Sequence, residues 1–162
     1  MRRTVASFAL VLVLLAACGG DGTPTTEATS PPSTPSPTTE APPEATGALV
    51  EAADSDLGTI VTDSEGMTLY FFLNDTSSES TCYEQCAENW PAFATEGDPQ
   101  AGEGVDASLL GTTTRTDETV QVTYNGKPLY FFAGDQNPGD TNGQGIGDVW
   151  YAASSDGEPT TP

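Results

Sequence analysis

The sequence predicts a mostly β fold: two pseudo-repeated antiparallel hairpin units in one domain with one short helix, behind an N-terminal signal peptide and a disordered linker. Three observations lead there. The stretch Gly66-Met67-Thr68-Leu69-Tyr70-Phe71-Phe72-Leu73-Asn74-Asp75 returns as Gly126-Lys127-Pro128-Leu129-Tyr130-Phe131-Phe132-Ala133-Gly134-Asp135, an offset of 60 positions that the only two tryptophans, Trp90 and Trp150, also share. Seven identities in one register mark a duplicated supersecondary unit. Around both copies, short apolar runs are bounded by Asn, Asp and Gly, the punctuation of strands and tight turns.

The chain opens with a positive Met1-Arg2-Arg3 and an apolar run from Val5 to Leu15, of signal-peptide length and too short for a stable span. It ends Leu15-Ala16-Ala17-Cys18, which resembles a bacterial lipobox. That resemblance implies removal of residues 1–17 and a diacylglyceryl thioether on Cys18, anchoring the chain to the membrane with more than one acyl chain, as stable anchoring requires. Residues 18–46 then form a Thr/Ser/Pro-rich tether with seven prolines and no aromatic residue. Such a segment cannot bury enough apolar surface to offset the entropy of ordering, so it is expected to be disordered and extended.

Residues 47–157 are expected to fold as one domain, with copy one at about 57–93, copy two at about 110–153, and a disordered tail over 158–162. In copy one, Thr59-Ile60-Val61-Thr62 reads as a strand, Asp63-Ser64-Glu65-Gly66 as a turn and Thr68 to Leu73 as a second strand. In copy two, Val120-Gln121-Val122-Thr123-Tyr124 alternates, Asn125-Gly126 is a two-residue hairpin signal, and Pro128 sits at a strand's first positions, where it is tolerated. Both faces of Leu69-Tyr70-Phe71-Phe72 and of its repeat are apolar, which predicts central strands covered on both sides. Thr81-Cys82-Tyr83-Glu84 fits a capping box for a short helix that must stop near Asn89, because Trp90 precedes Pro91. Residues 95–107 read as the inter-repeat loop, and Trp150 to Ala153 as a closing strand.

Charge and composition narrow the function. Acids outnumber bases 24 to 4, and two of those bases lie in the leader, leaving Arg115 and Lys127. A surface this acidic repels phosphate, which excludes a nucleic-acid partner, and it favours cations or basic envelope partners. The chain has no histidine, so Ser-His-Asp and Cys-His nucleophiles and His-ligated metals or haem are excluded. No cofactor fingerprint is present.

The two Tyr-x4-Asp patterns, Tyr70/Asp75 and Tyr130/Asp135, join the lipobox, the Cys-x3-Cys before Trp90-Pro91 and the closing Trp150-Tyr151. Together they resemble the secreted Tyr-x4-Asp repeat lipoproteins over most of residues 57–153. The resemblance implies a secreted repeat of unknown function. Two departures stand out: Trp150 is followed by Tyr151 in place of proline, and copy two lacks the cysteine pair.

Asp75 and Asp135 end their strands where polar loops begin, so each is either an Asx-type turn former or a ligand-facing carboxylate. Cys82 and Cys86 are expected to pair as a structural disulfide in an oxidising compartment, the alternative being a redox dithiol. Asp140-x-Asn142-x-Gln144-Gly145 alternates oxygen ligands as calcium loops do, and with Asp135 and Asp148 it offers a weak metal pattern; a solvated turn-rich loop is the simpler reading. The aromatic residues are either core or the lining of a ligand groove. The function expected is a non-catalytic, membrane-anchored binding or envelope-structural module, with a redox accessory and a cation-binding module as alternatives.

Overall fold

The computed structural model describes residues 47–76 and 78–161. The expected signal peptide, Cys18 and the tether lie outside the described residues. Among the described residues the fold is mostly β, with eight strands, one short α-helix and two repeated units. Strand β1 (Leu49–Ser55) forms an antiparallel hairpin with β2 (Gly58–Asp63), turning where Gly58 takes a positive φ of 97°. In copy two the matching hairpin is β5 (Leu110–Thr114) with β6 (Val120–Tyr124), and β7 (Lys127–Pro128) folds back through Asn125 and Gly126. These two residues have φ of 49° and 71°, the left-handed pair that a two-residue hairpin turn needs.

Three strands were not anticipated: β1, β5 and a third in the inter-repeat segment. The sequence β1 occupies, Leu49-Val50-Glu51-Ala52-Ala53-Asp54-Ser55, is too rich in small residues to alternate clearly. The inter-repeat segment 95–107 holds β4 (Gln100–Ala101), which pairs parallel to the start of β1. Elsewhere the regular structure is shorter than expected. Only Tyr70–Phe72 forms β3, and Thr68 contributes an isolated bridge to Thr62. The closing strand β8 (Trp150–Ala152) pairs antiparallel with β3.

The capping box does not form. Helix α1 runs Gln85–Asn89, its N-terminal flank Glu84 has φ 49°, and no side chain caps it. Thr81 is unavailable because its amide and hydroxyl both donate to Asp75 Oδ1, at 2.7 and 2.6 Å. Nor is 158–161 a loose tail: Pro159 bridges Ala153, the Thr160 amide donates to the Ala152 carbonyl at 3.0 Å, and Gln144 Nε2 donates to the Thr160 carbonyl.

The central strands separate two cores, as a period of two dictates. Leu69, Phe71 and Leu129 face one core with Val50, Val61, Val122 and Phe93. Tyr70 and Tyr130 face the other with Ile60, Cys82, Trp90 and Trp150. Apolar residues on both faces are therefore explained, although only β3 is a strand: its repeat over 129–132 is an extended segment held by the isolated bridges of Tyr130 to Tyr70 and Ala92, and each seals two cores at once.

Candidate functional site

The two copies meet at the tyrosines of the repeated motif. Tyr70 and Tyr130 form an antiparallel bridge in which each amide donates to the other's carbonyl, at 2.8 and 3.0 Å. The pairing repeats on either side of this point. Tyr70 lies opposite Ala152 of copy two, and Tyr130 opposite Ala92 of copy one, the same register 60 residues apart. The copies are thus related by a pseudo-twofold through the Tyr70–Tyr130 bridge.

The motif closes between copies, not within them. The Tyr70 hydroxyl donates to Asp135 Oδ2 at 2.7 Å, and the Tyr130 hydroxyl donates to Asp75 Oδ2 at 2.6 Å. The second oxygen of each carboxylate clamps the loop that follows it: Asp75 Oδ1 holds Thr81, and Asp135 Oδ1 accepts the Asn142 amide at 2.9 Å. Each carboxylate thus holds the loop after it, as the turn-forming reading expects, but through amides six and seven residues on in place of an Asx turn, and with a partner across the repeat that the reading did not include. Both tyrosine rings are fully buried. Burial, then the neighbouring aspartate, pushes both phenols well above their ordinary range.

Above the tyrosines lies an aromatic stack. Trp90 and Trp150 are face to face, 3.8 Å between centroids and 2° from parallel. Phe72 of copy one stacks on Trp150 of copy two at 4.2 Å, and Phe132 of copy two leans on Trp90 of copy one at 4.5 Å. Each tyrosine meets the tryptophan of its own copy edge-on, Tyr70 to Trp90 at 5.4 Å and Tyr130 to Trp150 at 5.2 Å. With the tryptophans 5% exposed, these rings are core and not a groove lining. Gly143 closes one side: a Cβ there would come within 2.8 Å of the Tyr70 ring and 2.9 Å of Trp90, so a side chain is sterically shut out.

On the Tyr130 side the network extends to Arg115, which is buried although its one ion-pair partner among the described residues is the half-exposed Asp117 at 3.4 Å. Neutral groups solvate the guanidinium. It donates to Ser80 Oγ, to Gln121 Oε1 at 2.9 Å and to the Cys82 carbonyl at 2.7 Å, and it lies 4.3 Å from the Tyr83 ring centroid. Because the one Tyr130 proton is given to Asp75, the Ser80 hydroxyl, which accepts from Arg115, donates to the Tyr130 oxygen at 2.7 Å, and a directed chain runs Arg115, Ser80, Tyr130, Asp75. Sequence reasoning missed Ser80, Arg115, Gln121 and Gly143. Arg115 carried a signal, being one of two cations beyond the leader.

Cys82 and Cys86 form the disulfide, with Cα atoms 5.3 Å apart and Cys82 fully buried against Trp90 and Ile60. The candidate cation ligands do not converge. Asp135 is committed to Tyr70 and Asn142, and Asp140 Oδ2 accepts from the amides of Gln136 and Asn137, which hold its carboxyl below the usual range. Asn142 and Asp148 are exposed, the latter in a 3-10 turn at φ 58°. No group of three acidic, cysteine or histidine residues poised for a metal occurs among the described residues.

Two segments, residues 51–94 and 111–154, each match the family described as a secreted repeat of unknown function. No curated protein and no solved structure matches the chain.

Proposed function

The chain belongs to that family of secreted repeats, which places its work outside the cytoplasm, and from this premise we propose that it is a lipid-anchored, non-catalytic module of the bacterial envelope. One observation carries the non-catalytic reading. Every side-chain oxygen of Tyr70, Asp75, Tyr130 and Asp135 is engaged, either across the copies or with the loop that follows each aspartate, so the motif shared by both repeats works to fasten the domain together. The anchor reading rests on the lipobox-like Leu15-Ala16-Ala17-Cys18. Among the described residues no helix is long and apolar enough to cross a membrane. A tether of 28 residues, 19–46, reaches up to roughly 85 Å if extended, enough to hold an acidic domain clear of an acidic membrane surface.

Metabolic labelling with an alkyne-bearing fatty acid tests the anchor. The wild-type chain should carry label and sediment with membranes, whereas Cys18→Ala should be unlabelled and appear in the medium. Label retained in Cys18→Ala, or an unlabelled wild-type chain, refutes it. For the binding role, thermal unfolding of the full chain is followed against calcium, basic peptides and wall glycans at fixed ionic strength. A ligand of the native state raises the midpoint with concentration.

A further inference from the structure

The lock contains the elements of a one-electron relay. Tryptophan and tyrosine are the aromatic side chains most readily oxidised by one electron. A phenol that loses an electron becomes a very strong acid, so its oxidation is easy only where a base stands ready for the proton. Tyr70 and Tyr130 each have a carboxylate in place, at 2.7 and 2.6 Å, and an edge-on tryptophan at 5.4 and 5.2 Å. Tyr124, also buried, instead donates to the Ser155 carbonyl, which cannot keep a proton. The tryptophans form a parallel, face-to-face pair at 3.8 Å, over which a positive hole is shared, and both rings retain a slight exposure of 5%. Competing reductants are few: the described cysteines are joined as a disulfide, and the described methionine is Met67.

We propose that the Trp90–Trp150 stack with the Tyr70–Asp135 and Tyr130–Asp75 pairs forms a relay that takes single oxidising equivalents from small radical oxidants and holds them on a carboxylate-bound tyrosine. In the first step a radical oxidant accepts one electron from the indole pair, leaving the oxidant reduced to its anion and the pair a radical cation. In the second, the edge-on tyrosine returns one electron to the indoles while its phenolic proton crosses to the aspartate. The product is a neutral tyrosyl radical beside a neutral carboxylic acid, and charge balances because the anion formed replaces the carboxylate. A small thiolate then gives one electron to the tyrosyl radical and leaves as a thiyl radical, while the proton returns from the aspartate to the phenol oxygen. Burial of both phenols keeps the radical from coupling with other molecules. The exchanged pairing gives each copy a tryptophan and tyrosine of its own with a proton acceptor from the other. This activity goes beyond a passive envelope module and does not depend on the anchor.

The test is flash photo-oxidation of the full chain by a ruthenium(III) polypyridyl complex, with transient absorption and electron paramagnetic resonance as readouts. In the wild-type chain the tryptophan radical should convert to a tyrosyl radical, more slowly in deuterated water because a proton moves in the same step. The spectrum of that radical should carry the signature of a hydrogen bond donated by the new carboxylic acid. In the Tyr70→Phe/Tyr130→Phe variant, which keeps both rings, the conversion should be lost. A wild-type tryptophan radical that decays without forming a tyrosyl radical overturns the proposal. So does conversion that persists in the double variant, or one that shows no solvent isotope effect. The wild-type measurements stand alone if the variant fails to fold.

Discussion

Removing the Tyr70 hydroxyl perturbs the exchanged lock at one atom. Tyr70→Phe deletes the donor 2.7 Å from Asp135 Oδ2 and the acceptor of the Gly143 amide at 3.2 Å. Hydrogen bonds to charged groups contribute about 1.5–3 kcal/mol net, and the loss is near the upper end where water cannot replace the donor. Asp135 is 8% exposed and Tyr70 fully buried, so little water enters. We expect Tyr70→Phe to destabilise the fold by about 2–3 kcal/mol, a fall in thermal midpoint of roughly 10 °C for a domain of this size. Chemical denaturation of Tyr70→Phe, Asp135→Ala and the double variant should then give a coupling energy of about 1–3 kcal/mol, as for residues in one hydrogen-bond network. The same cycle run with Asp75→Ala should be additive to within about 0.5 kcal/mol, because Asp75 serves Tyr130 and not Tyr70. Coupling of Tyr70 to Asp75 with none to Asp135 would mean that each motif closes within its own copy, and the pseudo-twofold reasoning would fail.

Other perturbations probe the same frame. Arg115→Met leaves Ser80, Gln121 and the Cys82 carbonyl short of a buried donor, so urea unfolding should register a loss of about 3 kcal/mol or more, whereas Asp117→Asn, at an exposed partner, should change stability by no more than about 0.5 kcal/mol. Reducing the Cys82–Cys86 disulfide should cost about 2 kcal/mol, the loop-closure value for a cross-link four residues apart, and a calorimetric midpoint unmoved by dithiothreitol would contradict this. Gly143→Ala drives a Cβ into the Tyr70 and Trp90 rings and should destabilise by about 1–3 kcal/mol, with the tryptophan emission altered in the folded state. Alkaline pH should unfold the domain. Tyr70, Tyr124 and Tyr130 keep their protons in the folded state beyond the pH at which the unfolded chain releases them, near about 10. The unfolded state then binds fewer protons, so stability is intact below that pH and falls as pH rises, by about 1.4 kcal/mol per pH unit per tyrosine. Tyr83, whose phenol is shifted down by the Thr116 amide, opposes this in part. Denaturation midpoints measured from pH 8 to 12 should show a shallower fall in Tyr70→Phe.

Much of this architecture is local and so is written in the chain. The offset between Tyr70 and Tyr130 announces the duplication, Asn125-Gly126 sets a turn by its own backbone preference, and Trp90-Pro91 ends the helix because the residue before proline avoids the helical region. The unbroken apolar run from Leu69 to Phe72 requires two covered faces, and two cores are found. Where neighbours in space are distant in sequence, local pattern is silent. Residues 81–84 have the letters of a capping box, yet a carboxylate six residues upstream takes the threonine first. The segment 158–161 has the composition of a tail but is held by Ala152, Ala153 and Gln144. The repeated Tyr-x4-Asp spacing suggests a partnership within each copy, but a strand carries its residues apart by about 3.3 Å per position. Which carboxylate meets which phenol is decided by the antiparallel crossing of Tyr70 and Tyr130. The sequence by itself determined that there are two copies and what each contains; only the tertiary structure decided that each copy completes the other, because those contacts span 65 and 55 residues and have no local energy to reveal them.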